Sequence, residues 1–354
     1  MGKIGILTFH RASNYGAVLQ AYALQTAIEK LGFSAEIIDY RCPEVEKAHN
    51  PYYSLKAHGI TKLPKVLGDI IRYIRFQTFR GKYLHLSNQV YKNNININKS
   101  DFEKVVVGSD QVWNNFFSGK DEQYFMPFVP IEKKSTYAVS IGDKYDEQWL
   151  SLMLDKNLRD IDVISLREKE YVDVISTKIN CECRVDVDPT FLLEKQDWLK
   201  IAQEPKRHKP YILVYTVAGP DKLIEKAKEV AKATGYDLLY INNKLFQNAD
   251  IKKLSYISPE AFVGWFSEAE FIFTNSFHGT VFSIIMNRPF AVEDHSSRGI
   301  NKRVLNLLEL FDLTDRNIDN ENYFRYREKI NWQHVDELKS YKVSESISYL
   351  KQIL

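Results

Sequence analysis

Cysteine is scarce in this chain, three in 354 residues, and the odd count argues against a disulfide framework and for a reducing compartment. Cys181 and Cys183 are spaced to share one face of a strand. A structural zinc site needs four ligands, however, and no second Cys or His pair lies nearby in the sequence, so both are read as structural. The dinucleotide pattern GxGxxG is missing, which removes the usual sign of a nicotinamide or flavin enzyme. Neither sign of charge dominates: 48 Lys and Arg against 46 Asp and Glu leave +2, which gives no nucleic-acid-binding character. No apolar run approaches the roughly 18 residues of a transmembrane helix. The apolar stretch in Met1-Gly2-Lys3-Ile4-Gly5-Ile6-Leu7 is too short for the core of a signal peptide. The expectation is a cytoplasmic protein, with the inner face of the membrane as a further location.

What is present is a globular composition, 44% hydrophobic and 27% charged, in a chain long enough for two domains. Ile4 to Leu7 reads as a strand. Ala17 to Leu31 reads as a helix with Leu24, Ala27, Ile28 and Leu31 at the spacing of one buried face, closed by Gly32, and Ala35 to Ile38 resumes as a strand. Residues 43 to 100 break this rhythm. Val66 to Arg80 has helical periodicity, with Leu67, Ile70, Ile71 and Ile74 on one face and Arg72, Arg75 and Arg80 elsewhere. That basic side is a solvated face or a contact for anionic lipid.

Val105 to Val107, Val163 to Leu166 and Val185 to Val187 read as further strands, and a helix is expected from Glu168. The polar stretch Glu194 to Lys209, with Pro205, reads as a domain boundary. The second half repeats the alternation: strands at Tyr211 to Tyr215 and Leu238 to Ile241, a helix from Lys222 to Thr234 closed by Gly235, and a helix capped by Ser258 with Pro259 at its first position. Ser344 to Leu354 reads as a short final helix. The spacing predicts an N-terminal domain over 1–200 with a helical insertion at about 43–100, and a C-terminal domain over 201–354.

The most informative stretch runs from Phe271 to Met286. Phe271-Ile272-Phe273-Thr274 is too short and apolar for a helix, Asn275-Ser276-Phe277-His278-Gly279 is a turn, and a second apolar run follows. The pattern is strand, tight turn, buried helix. In a parallel sheet this turn lies at the carboxyl end of a strand, where open α/β folds bind ligands and a new helix offers backbone N–H groups to an anion. His278 is placed there to move a proton, and Gly279, lacking a Cβ, is expected to let a ligand approach the backbone.

Taken together, Asn14-Tyr15-Gly16-Ala17-Val18-Leu19-Gln20, Gly108-Ser109-Asp110-Gln111-Val112-Trp113-Asn114, Ser165-Leu166-Arg167-Glu168, Asp188-Pro189-Thr190 and Ser276-Phe277-His278-Gly279 resemble the polysaccharide pyruvyl transferase family. The resemblance spans residues 3 to about 316 and includes Asn301-Lys302-Arg303. It implies an α/β fold of two Rossmann-like domains facing a cleft, similar to the GT-B glycosyltransferases. It also implies transfer of the pyruvyl group of phosphoenolpyruvate to two hydroxyls of a glycan sugar or lipid-linked saccharide, without metal or organic cofactor.

In that comparison Arg167 matches the family's phosphoenolpyruvate-binding arginine and His278 its proposed proton donor. The family pattern Arg-Leu-His stands here as Ser276-Phe277-His278, so one anion-binding arginine is missing. Arg298, Lys302 and Arg303, shortly downstream, are the candidate replacements. Asp110 is either an acceptor for a sugar hydroxyl's proton or a turn-stabilising aspartate. Trp113 either stacks on a sugar or packs. Asn14 and Gly16 either line the cleft or form a turn. Two other readings share the implied fold: a glycosyltransferase using a nucleotide sugar, and a non-catalytic glycan-binding relative.

Overall fold

The computed structural model describes residues 2–58, 63–98, 101–207, 209–217, 219, 222–241, 251–294, 302–319 and 328–354. The chain forms two compact units, residues 1–193 with 341–354, and residues 194–340.

In the first unit the strands are β1 (Lys3–Leu7), β2 (Ser34–Arg41), β3 (Leu86–Lys92), β4 (Lys104–Val107) and β5 (Lys134–Thr136). They form one parallel sheet of order β3-β2-β1-β4-β5. Helix α1 (Tyr15–Lys30) joins β1 to β2, and Asn14 caps it by accepting from the Ala17 N–H at 3.3 Å. Helices α2 (Pro43–His49), α3 (Pro51–His58) and α4 (Leu63–Tyr83) follow, then α5 (Asn115–Ser118) and α6 (Glu147–Leu158). A parallel pair, β6 (Val163–Leu166) and β7 (Glu182–Val185), flanks α7 (Val172–Ile179). A parallel bridge from Val139 to Leu166 links β6 to the segment that leaves β5. Strand order turns at β1 and β4, so their carboxyl ends open the crevice where such sheets take ligands.

The second unit repeats the plan. It contains α8 (Lys195–Ile201), β8 (Tyr211–Tyr215), α9 (Leu223–Thr234), β9 (Asp237–Ile241), β10 (Lys252–Leu254), α10 (Pro259–Glu268), β11 (Phe271–Thr274), α11 (Phe277–Ile285), β12 (Phe290–Val292) and α12 (Lys302–Leu310). Its parallel sheet has the order β10-β9-β8-β11-β12, which turns between β8 and β11. Strands such as Phe271–Thr274 and Tyr211–Tyr215 are buried along their whole length, as parallel strands covered on both faces are.

The units divide between Leu193 and Glu194, at the start of the polar stretch read as a boundary, and residues 195–201 of that stretch fold as α8, where Trp198, fully buried, meets Phe282 of α11 edge-on at 4.9 Å. Three sequence expectations need correction. The final helix is longer than expected, α13 (Trp332–Ile353), and residues 341–354 belong to the first unit. There Tyr349 donates to the Thr136 carbonyl at 3.1 Å, Ser346 accepts from the Val187 N–H at 3.2 Å, and Leu350 is buried. The strand read at Val185 to Val187 lies earlier, as β7, so Asp186 and Asp188 follow its end. The insertion at 43–100 is helical through α4 only, since β3 then adds an edge strand beside β2.

Helix α4 presents its two apolar stripes the other way round. Leu67, Ile71 and Ile74 are 50%, 44% and 56% exposed, whereas Val66, Phe76, Phe79 and Arg80 are buried. Aromatic contacts decide this: Tyr15 and Tyr22 of α1 receive Phe76 at 5.2 Å and Phe79 at 6.2 Å, and large rings bury more surface than Leu or Ile. Phe79→Ala is therefore expected to cost about 3–5 kcal/mol in urea unfolding. Ile74→Ala is expected to stay within about 0.5 kcal/mol. The reverse ranking would restore the face inferred from sequence.

Candidate functional site

The first unit gathers its polar groups at the carboxyl ends of β1, β4 and β6. Gly108 ends β4 with φ +122, and a Cβ there would stand 2.1 Å from the Tyr137 carbonyl oxygen, so only glycine fits. Ser109 donates to the Ala138 carbonyl at 2.9 Å and to Asp188 Oδ2 at 3.4 Å. Asp110 is left-handed, φ +68, a conformation aspartate tolerates. Its side chain accepts from the Gln111 N–H at 2.8 Å, and its carbonyl accepts from the Ser140 N–H at 3.0 Å. Asp110 thus stabilises this turn, and it stays partly exposed.

Arg167, at the end of β6, is buried. It donates to Asp188 Oδ2 at 2.8 Å and lies 3.9 Å from Glu168 Oε1. Burial opposes its charge, but Glu168, then Asp188 and Asp110, outweigh that and hold the guanidinium above its ordinary range. Glu168 accepts in turn from Ser140 Oγ and from the Ile141 N–H. Asp188 also accepts from the Thr190 N–H at 3.0 Å and its hydroxyl at 2.7 Å. The structure therefore brings Arg167 and Asp110 into one electrostatic neighbourhood, where carboxylates outnumber the arginine.

In the second unit His278 lies in the first turn of α11, 9% exposed, its ring edge-on to Phe277 at 5.1 Å. Ser276 is the N-cap, and its hydroxyl accepts from the Gly279 N–H at 3.3 Å. Arg303 of α12 sits with its guanidinium 5.8 Å from the Phe277 ring, so this candidate reaches the His278 turn. Lys302 opens the same helix and is exposed, while Arg298 lies outside the described residues. Gly279 has a reason different from the expected one. A Cβ on it would meet Thr274 Oγ1 at 2.1 Å and Tyr215 Cδ1 at 3.1 Å, so glycine lets α11 press on β11 and β8 rather than admitting a ligand.

Two acceptor candidates are also reassigned by the structure. Trp113 is fully buried, stacked on Phe125 at 5.1 Å with its Nε1 donating to the Tyr124 carbonyl at 3.0 Å, so it has no ring face for a sugar. Gly16 is buried inside the first turn of α1. Asn14, its neighbour, is exposed while its side chain caps that helix. Among the described residues no three His, Cys, Asp or Glu side chains gather as metal ligands would.

Sequence reasoning missed a polar cluster beside β1. His10 Nε2 pairs with Asp39 Oδ1 at 3.0 Å, and Arg11 grips the same carboxylate through Nε at 2.6 Å. Arg80 donates to the Arg11 carbonyl at 3.4 Å and to Gln77 Oε1 at 2.7 Å. The only sequence signal was the density of polar residues in Thr8 to Asn14. Burial holds His10 below its ordinary pKa, while Asp39 pulls the other way. His49, at the end of α2, is lowered to about 4 by burial and then by Arg72 and Arg80, with Asp110 opposing.

A family model for polysaccharide pyruvyl transferase matches residues 14–297. No curated protein matches the chain. Among solved structures, a UDP complex of MnaA from S. aureus is 12% identical with a TM-score of 0.50, covering 100% of this chain and 98% of that one. A UDP-GlcNAc 2-epimerase from Neisseria meningitidis bound to UDP-GlcNAc is 10% identical with a TM-score of 0.48, covering 99% and 100%. A Streptomyces sp. glycosyltransferase complexed with thymidine diphosphate is 9% identical with a TM-score of 0.46, covering 100% and 99%. The likeness to MnaA concerns the fold, α/β with two Rossmann-like units of the GT-B kind.

A histidine whose pKa is depressed on folding leaves the unfolded chain binding more protons below pH 6.5, so stability is full above that pH and is lost as pH falls. For His49 the window runs from 6.5 down to about 4. His49→Gln is expected to flatten the decline in unfolding free energy between pH 6.5 and 4.5 by up to about 1.4 kcal/mol per pH unit. Urea titrations at pH 7, 6 and 5 measure this, and equal slopes in both proteins would contradict it.

Proposed function

The chain belongs to the polysaccharide pyruvyl transferase family, and from that premise we propose that it transfers the pyruvyl group of phosphoenolpyruvate to two hydroxyls of one glycan sugar. The observation that carries this reading is the family match over residues 14–297, which includes Asp110, Arg167 and His278. One sugar oxygen attacks the carbon bearing the phosphate ester while the methylene carbon takes a proton. The second hydroxyl then displaces phosphate at that same carbon, leaving a cyclic ketal with a methyl and a carboxylate. The two hydroxyl protons balance the one gained by the methyl and the one carried away by solvent or phosphate.

His278 supplies the proton to the methylene carbon in this reading, supported by its place at the carboxyl end of β11 where the strand order turns. Asp110, partly exposed at the corresponding turn of the first unit, takes a hydroxyl proton. Phosphoenolpyruvate brings a phosphate and a carboxylate, and Arg167 already faces Asp188 and Glu168. Cations beyond Arg167 are therefore required, and Arg303 beside the His278 turn is the candidate. Ser276 offers the donor only a hydroxyl that already caps α11. The nucleotide-sugar alternative gains nothing from the solved structures, because likeness at 12% identity speaks for fold alone.

The substitution that reads the chemistry is His278→Ala. Turnover of phosphoenolpyruvate with a sugar acceptor, followed as ketal by mass spectrometry, is expected to fall by roughly 100-fold or more with donor affinity largely kept. Near-wild-type turnover would remove His278 from the reaction. Arg167→Ala is a poorer probe, since it strands two buried carboxylates and is expected to cost about 3–5 kcal/mol of stability before any effect on donor binding.

No helix among the described residues is long and apolar enough to cross a membrane. Peripheral contact with an anionic bilayer is part of the same reading. It is supported by the exposed Leu67, Ile71 and Ile74 of α4, with Arg75 and Lys82 exposed on the same helix. Replacing Leu67 and Ile74 by Asp is expected to abolish sedimentation with phosphatidylglycerol vesicles while leaving transfer to a soluble acceptor intact. Unchanged sedimentation would leave that stripe without this role.

A further inference from the structure

Helices α2, α3 and α4 enclose, together with the loop after β1, a pocket of 540 Å³. Ligand pockets for organic molecules run from roughly 300 to 1,000 Å³, so this one is large for a bare ion. Its walls carry Lys47, Lys56, Lys65 and Arg72, against the single lining carboxylate of Asp69. Lys65 pairs with Asp69 at 2.9 Å, and exposed Lys47 leans on Glu44 at 3.5 Å. Lys56 and Arg72 form no ion pair among the described residues. The excess charge in the wall is thus positive, and Arg80 adds to it from behind. Arg80 is buried, has no carboxylate at ion-pair distance among the described residues, and is held down at about 10 by burial and the neighbouring Arg11.

Two donors in this wall have no protein partner. Ser13 Oγ, on a residue 2% exposed, makes no hydrogen bond, and neither does Arg72 Nε. Both atoms are closed off from solvent, so a ligand in the pocket meets Arg72 through its outer guanidinium nitrogens and does not reach Ser13 Oγ. His49, also in the lining, is low at about 4 chiefly through burial and then through Arg72 and Arg80, so at neutral pH it accepts a hydrogen bond rather than adding charge. Tyr53, Pro51, Ala48 and Ala57 supply aromatic and apolar surface, beside the polar Asn50 and Ser54.

We propose that this pocket binds the phosphate or diphosphate ester of a saccharide, distinct from phosphoenolpyruvate, with Arg72 and Lys56 on the anion and Tyr53 against the sugar. Arginine suits a phosphate by its planar fork, and an amphipathic ring beside it suits a pyranose face. The saccharide part of the assignment rests on the transferase reading. The anion site rests on the pocket's own size and charge.

Isothermal titration of the full chain with inorganic pyrophosphate and with α-D-glucose 1-phosphate tests it without turnover. Both probes are expected to bind. Lys56→Gln and Arg72→Gln are each expected to weaken them by at least roughly tenfold, the loss of one charge-assisted contact. Lys228→Gln, at the partly exposed α9 residue that pairs with Glu225 at 3.4 Å in the second unit, is expected to change nothing. Saturating phosphoenolpyruvate is expected to leave glucose 1-phosphate bound. Absence of binding, or affinity in both pocket variants unchanged from that of the unsubstituted chain, would overturn the site. Pyrophosphate binding that glucose 1-phosphate does not share would overturn the saccharide assignment. Displacement by phosphoenolpyruvate would overturn the distinction and make the pocket the donor's. Because ketal formation is read separately by mass spectrometry, failure of the transferase reading and failure of the pocket give different results.

Discussion

The ion pair between Arg167 and Asp188 constrains much of what the first unit can do. The two groups are almost wholly removed from solvent, and a charge so placed is tolerated only when paired and hydrogen-bonded. Asp188 meets that need through Thr190 and Ser109 as well as the arginine. One carboxylate thereby ties together the end of β4, the end of β6 and the segment after β7. The geometry of Asp110, one residue beyond Ser109, follows from that tie.

The same unit divides its charge. On the β6 side, Asp188, Glu168 and Asp110 surround a single arginine. On the side of the helical insertion, Arg72, Arg80 and Lys56 face few carboxylates. Asp110 is felt from both directions, raising Arg167 and pulling against the depression of His49. The field is therefore positive beside the insertion and negative beside β6.

The strand, turn and helix around His278 were legible because β11 is short, continuous and apolar and because Ser276 opens a helix by a local rule. The turns at Asp110 and Asn14 were legible for similar reasons. What short-range spacing could not convey was direction. Trp113 follows a turn whatever its ring does, and only Phe125, twelve positions on, decides that it stacks inward. Helix α4 carries two apolar stripes, and the choice between them lies in Tyr15 and Tyr22, far away in sequence. Gly279 looked like a ligand contact because the sequence does not show Thr274 lying beneath it. The cationic pocket draws on residues 13, 47, 49, 56, 65 and 72, a set without any periodicity.

Helix α13 begins in one unit and finishes in the other, so the first unit is discontinuous in the chain and the second is contiguous. During synthesis the residues of the second unit are all available before Ser346, Tyr349 and Leu350 leave the ribosome. The first unit meanwhile holds β5 and the end of β7 without their final cover. The order of emergence thus completes the second unit's chain first, although it is encoded later, and makes residues 341–354 a late addition to the first.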